Sequence, residues 1–443
     1  MGALFSVASG RRNKPPLLHF PDNPAVVALR QSFEDRSTTT ECPSLRSNFS
    51  PAWWLFNGHL QTIYCVLGDF TKRDRLQYNR KFIRLLEGGT LGLDFAPADF
   101  SQVREDAPII VVLHGLTGGS YESYVRSILV PACKAIEEGG LGYRAVVVNF
   151  RGCAGVPITS PQLYSAGYTD DIRQALVYIS NLYPRATLLG LGFSLGANVL
   201  IRYLAEEGEQ SRLSSGCALA CPWDLAKNND GAASLEKSFI GNFYSRAMAT
   251  NLINLLRRNL DGLTKYPDSE IAKATPGVLA MKNSTLENFD DAFTRIAGGA
   301  PPQFPFATAQ DYYKWASSHI VVRNVRRPFL AINAADDPVV QHVPMDAGGN
   351  PMAIMALTSS GGHLGWFQAG SARFTVERWI VQPVLEWMSL VGDVLAPSTE
   401  RAPRIYLEDD FYREEGRNGG CKELGGCIID ASSWQGATLL QGL

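Results

Sequence analysis

The chain has 443 residues, 45% of them hydrophobic and 19% charged, so it can bury a large core. With a formal net charge of -2 nothing points to nucleic acid, and no stretch approaches the eighteen consecutive apolar residues of a transmembrane helix. Length alone suggests two or three domains, but α/β folds often run past 250 residues as one.

In chain order, residues 1–50 form an N-terminal arm rich in Pro, Ser and Arg without periodicity, expected to be extended or poorly ordered. In "MGALFSVASGRRNK" the charges follow a short apolar run instead of preceding it, so no secretory signal is read. The same stretch fits the N-myristoylation pattern, with Gly2 exposed after methionine removal, a small Ala3, and Ser6 at the required place. Arg11, Arg12 and Lys14 follow as a second, electrostatic membrane signal.

From residue 51 the pattern changes. "TLGLDFAP" reads as a strand, and "APIIVVLHG", "RAVVVNFRG" and "ATLLGLGFS" are short apolar runs, the first and last closed by or rich in glycine. "SGCALACP", "PFLAINAADDP" and "PMAIMALTSSGGH" follow. Helical patterns, "YVRSILVPACKAIEEGG" and "YTDDIRQALVYISNLYP", separate the early strands. Strands apolar almost throughout, alternating with helices, predict an α/β fold with a mostly parallel, doubly wound sheet covered on both faces.

The alternation stops between about Trp223 and Arg327, where "SLEKSFIGNFYSRAMATNLINLLRRNL" and "STLENFDDAFTRIAG" are helical with no strand between them. This predicts a helical cap at 223–327 inserted into a core made of 51–222 and 328–396, which closes with the helix around "FTVERWIVQPVLEWM". Residues 397–443 are charged and glycine-rich, and read as a loose C-terminal tail. The eight cysteines are scattered and several lie in apolar patterns, where a thiol is usually a small core residue. No zinc site, disulfide framework or cofactor is expected, and a reducing, cytoplasmic location fits.

Within "GFSLGAN", Ser194 lies between Gly192 and Gly196 where a strand passes directly into a helix. That sequence is the strand-turn-helix pattern of a nucleophile elbow, which holds a serine hydroxyl out above a sheet. A serine is a weak nucleophile until a base takes its proton and a third group orients that base. Among six histidines, His363 in "SSGGHLGWF" follows the last predicted core strand, where loops converge on the site of a doubly wound sheet. His342 is the alternative. His114, directly after "IIVVL", is read as shaping a loop. The acid is expected between serine and histidine in the chain, at the end of "LAINAADD". Asp337 is chosen because a short apolar turn follows it, with Asp336 remaining open. Oxyanion donors are expected from the backbone N–H groups of Leu195, after the nucleophile, and Leu116, in "HGLTGGS".

Together these residues resemble a group of α/β-hydrolase-domain proteins related to bacterial YheT and plant embryogenesis-associated proteins. The resemblance covers roughly residues 51–392. It rests on "WWLFNGHLQTIY", "HGLTGGSYESYVR", "NFRGCAG", "YSAGYTDDIR", "GFSLGAN", "NFDDAF", "DYYKWAS", "NAADDP" and "GGHLGWF". It implies the triad Ser194, Asp337 and His363, and a metal-independent serine esterase or lipase acting on lipid esters such as monoacylglycerols or phospholipids. The alternatives are an alcohol acyltransferase using the same triad and a non-catalytic binding protein on a hydrolase scaffold. The expected partners are a lipid ester and, through the N-terminus, a membrane surface; no metal or nucleic acid is expected. The chain departs from the group at "GGAPPQFPFATAQDYY", in lacking the N-terminal membrane helix of some animal members, and in its tail beyond residue 400.

Overall fold

A computed structural model describes residues 14–30, 42–101, 103–229, 239–396 and 402–431. Their strands are β1 (Leu17–His19), β2 (Gln77–Leu85), β3 (Thr90–Ala96), β4 (Ile109–Leu113), β5 (Arg144–Asn149), β6 (Leu188–Phe193), β7 (Ser215–Leu219), β8 (Phe329–Ala334), β9 (Ala353–Thr358), β10 (Phe367–Ala369), β11 (Val376–Arg378), β12 (Ile405–Glu408), β13 (Phe411–Glu414) and β14 (Gly420–Asp430). All but β10 and β11 join one mixed sheet in the order β1-β9-β8-β7-β6-β4-β5-β3-β2-β14-β13-β12. The six strands from β5 to β9 in that row are parallel, and antiparallel strands flank them on both sides.

The parallel strands are apolar almost throughout because both faces are covered. In β4, Ile109, Val111 and Leu113 enter one buried cluster while Ile110 and Val112 enter the other, as a two-residue side-chain period requires. Helices α1 (Gly58–Leu67), α2 (Ser123–Cys133), α3 (Asp170–Leu182) and α4 (Leu195–Glu207) pack on these faces, α3 and α4 on the first and α1 and α2 on the second. Each side chain of this kind that is fully buried stabilises the fold by about 1.5–3 kcal/mol.

Between β7 and β8 the described chain is helical, including α5 (Phe239–Arg258), α6 (Glu270–Leu279) and α7 (Ala309–Ala316). The proline-rich stretch ahead of α7 buries Phe304 against Tyr312 and Trp315, in a cluster that also touches Leu195. Helix α8 (Val381–Ser389) follows β11. No described helix is long and apolar enough to cross a membrane.

Two segments depart from the sequence expectation. Part of the arm is structured: Leu17–His19 pair with Leu357–Met355 at the sheet edge. The tail is not loose over 402–431, because β14 pairs with β2 from Cys421↔Leu85 to Asp430↔Gln77 and β13 and β12 extend the sheet further. Its glycines serve close approach. A Cβ on Gly426 would lie 1.8 Å from the Arg80 carbonyl oxygen, and Gly425, at φ 109°, sits at the register shift of β14. Buried Glu414 binds Arg212 at 2.6 Å and so ties β13 to the core.

Candidate active site

Ser194 sits at the turn from β6 into α4 with φ 51° and ψ -118°, in the left-handed half of backbone space that side chains other than glycine rarely adopt. The flanking glycines make this turn possible by their size. A Cβ on Gly192 would lie 2.5 Å from the Ala197 Cα, and one on Gly196 would lie 2.3 Å from the Leu113 carbonyl oxygen. The start of α4 therefore rests directly on the ends of β4 and β6.

His363 lies in the loop after β9. Its Nε2 is 2.8 Å from Ser194 Oγ, and its Nδ1 is 2.8 Å from Asp337 Oδ2. All three are buried, with exposures of 6% for Ser194, 5% for Asp337 and 2% for His363. Asp337 Oδ1 accepts the N–H groups of Val339 at 2.7 Å and Val340 at 3.0 Å, so the short apolar turn orients the carboxylate. Asp336 instead accepts the Gly362 N–H at 2.9 Å, and burial raises its pKa. The structure thus brings Ser194, His363 and Asp337 into one hydrogen-bonded line and sets Asp336 against the histidine loop. A line of this kind can pass a proton from the hydroxyl to the imidazole while the carboxylate steadies the ring.

The other histidines lie elsewhere. His19 is in β1, His342 is exposed, and His319 bonds the Trp223 carbonyl at 3.0 Å. His59 meets the Tyr244 hydroxyl at 3.2 Å, joining α1 to α5. His114 is fully buried between the Gly115 carbonyl, 2.7 Å from its Nδ1, and the Phe150 N–H, which donates to its Nε2 at 3.2 Å. Burial pushes its pKa down to about 4, so it stays neutral and braces the loop that carries Leu116. Leu195 opens α4, where a first-turn N–H has no intrahelical acceptor. Gly115 lies close to Ser194, since a Cβ there would be 3.7 Å from the serine Cβ. Gly2, Arg11 and Arg12 lie outside the described residues.

Sequence reading missed the support supplied by α1. Gln61 donates to the carbonyls of Leu55 and Phe367 and accepts the Phe367 N–H, while Thr62 accepts the His363 N–H at 2.8 Å. Cys65 and Arg378 both donate to the Leu364 carbonyl. The available signal was the adjacent polar pair Gln61-Thr62 inside a largely apolar helix. Clefts of about 430 Å³, beside α3 and the C-terminal strands, and about 980 Å³, beside residues 44–48 and α2, include none of Ser194, Asp337 and His363. Among the described residues no group of three or more His, Cys, Asp and Glu is arranged to hold a metal ion.

Comparison with known proteins adds three relatives and a family. A model of the α/β hydrolase fold matches residues 108–368. The chain is 32% identical to a monoacylglycerol lipase of Saccharomyces cerevisiae over 76% of its own length and 80% of the relative's. It is 30% identical to the human phospholipase ABHD3, covering 78% of this chain and 80% of that one. It is 28% identical to a medium-chain fatty acid ethyl ester synthase/esterase of the same yeast, covering 85% and 93%.

Proposed function

The chain belongs to the α/β-hydrolase fold family, and on that premise we propose that it is a carboxylic ester hydrolase acting on lipid esters through Ser194. The observation that carries this reading is the buried line Ser194–His363–Asp337, with both hydrogen bonds at 2.8 Å. Relatives named monoacylglycerol lipase and phospholipase support the lipid ester as substrate.

In the proposed reaction His363 Nε2 takes the Ser194 proton as Oγ bonds the acyl carbon. The tetrahedral oxyanion is held by the N–H groups of Leu195 and Leu116. The alcohol leaves with the proton now on His363, and water then repeats the sequence to release the acid. Asp337 keeps Nδ1 as the donor and steadies the charged imidazole. Transfer of the acyl group to an alcohol instead of water would use the same intermediate, and the relative named synthase/esterase favours this as a second activity.

The N-terminal pattern "MGALFS" supports acylation of Gly2. One myristoyl chain partitions to membranes with a constant of only about 10⁴ M⁻¹, and Arg11, Arg12 and Lys14 would each add about 1 kcal/mol at an anionic surface. This would bring the enzyme to its substrate peripherally, from the cytoplasmic side.

The test is covalent labelling with a fluorophosphonate, followed by a panel of lipid esters with and without added alcohol. Labelling should map to Ser194 and vanish in Ser194→Ala. A wild-type protein that takes no label overturns the reading.

A further inference from the structure

The loop from His114 to Ser120 carries the Leu116 N–H, and the far end of that loop is fastened with unusual completeness. Every polar group of Ser120 is taken by a different buried residue. Its N–H donates to Asn149 Oδ1 at 3.0 Å, its carbonyl accepts the Tyr78 hydroxyl at 3.0 Å, and its Oγ donates to Asp94 Oδ2 at 2.5 Å. Asn149 Nδ2 donates to the same Asp94 oxygen at 2.8 Å. Arg80 clamps Asp94 from the other side, with Nε to Oδ1 and Nη2 to Oδ2, both at 2.6 Å. Arg80 is 4% exposed, Ser120 1%, and Tyr78, Asp94 and Asn149 are not exposed at all.

Burying an ion pair this deeply is a poor way to gain stability, because desolvating two charges offsets most of their attraction. What the pair supplies is a fixed acceptor on β3, held rigid by β2 and shared by the Ser120 hydroxyl and the Asn149 side chain, whose Oδ1 also accepts the Ser120 N–H. Oxyanion donors act through preorganisation, and displacement of about an ångström is enough to weaken them severely. We propose that Arg80, Asp94, Asn149 and Tyr78 are positioning residues for the proposed ester hydrolysis, holding the Ser120 end of the loop so that the Leu116 N–H faces the tetrahedral oxyanion. This rests on Ser194 being the nucleophile.

Replacing Asp94 would strand Arg80 in the core and risk unfolding, so the informative variants are Tyr78→Phe and Ser120→Ala, which keep the ion pair. Each should lower kcat about tenfold with KM changed less than about twofold, since the ground-state carbonyl gains little from the donor. Affinity for an alkyl boronic acid, which forms a tetrahedral adduct on the serine, should fall by the same factor as kcat/KM. Ile83→Val, which thins the core on the same strand without touching the network, should leave both values unchanged. Folded Tyr78→Phe and Ser120→Ala proteins with wild-type kcat and boronate affinity overturn the inference. Wild-type protein that fluorophosphonate does not label at Ser194 overturns the underlying reading instead.

Discussion

The hydroxyl of Thr62, on α1, accepts the backbone N–H of His363 at 2.8 Å and donates to the Gly58 carbonyl at 2.7 Å. A helix that precedes all but the first strand of the sheet thus sets the height of the histidine loop, 301 residues later. Thr62→Val keeps the shape and removes the acceptor, leaving a buried N–H without a partner. Turnover of a soluble ester should fall about tenfold or more, while fluorophosphonate still labels Ser194, only more slowly. Unchanged turnover would show that the loop is held adequately without Thr62.

The two adjacent carboxylates make different bonds and should behave differently. Asp337 meets His363, so Asp337→Asn should cost roughly 10⁴-fold in turnover, in line with loss of the carboxylate in a serine triad. Asp336 accepts from the backbone, the Gly362 N–H of the histidine loop at 2.9 Å among its donors, so Asp336→Asn should cost less than about tenfold. Steady-state kinetics on the two purified variants decides it; the reverse order would transfer the acid's role to Asp336.

Glu122, two residues beyond Ser120, is buried with no hydrogen-bond partner for its Oε1, and burial pushes its pKa from 4.5 up to about 7. A carboxyl raised in the folded state keeps its proton there while the unfolded chain has already ionised. Stability therefore falls as pH rises from about 4.5 to 7 and stays low above, by up to about 3 kcal/mol. Glu122→Gln should gain most, relative to the parent protein, at pH 8 and little at pH 4.5. Urea unfolding at the two pH values measures this, and an equal difference at both would refute the assignment.

Glu414 and Glu423 both lie in the C-terminal strands, but only the first is buried, at 3% exposure, against Arg212. Glu414→Ala leaves that guanidinium uncompensated and should destabilise by about 3 kcal/mol or more. Glu423 meets the part-exposed Lys81 at 2.9 Å, and Lys81→Ala should cost less than about 1 kcal/mol. Thermal melts of the two variants test whether the C-terminal strands are integral to the sheet, and equal shifts would say that they are not.

Gly2→Ala should abolish membrane association of protein expressed with an N-myristoyltransferase and leave turnover of a soluble ester as it was. Association of the unmodified variant equal to that of the parent, in a flotation assay at low salt, would exclude the lipid anchor.

The α/β alternation and the serine turn were legible in the sequence because each is local. Strand runs, flanking glycines and a turn of apolar residues after an acid all act within about ten residues. The apolar turn that singled out Asp337 is the one whose Val339 and Val340 N–H groups bond its carboxylate. What lay beyond reach was contact between distant segments. Glycines at 419, 420, 425 and 426 read locally as flexibility, yet Gly426 is small because Arg80 backbone passes beside it. Strand β2 mixes charges with apolar residues and shows no clean alternation, because its Arg80 points inward to a buried carboxylate supplied by β3. Thr62 and Gln61 carry no sign that their partners lie some 300 residues away. Local backbone chemistry specified the elements and pointed to the candidate residues; only the folded chain decided which buried hydrogen bonds bring those residues together.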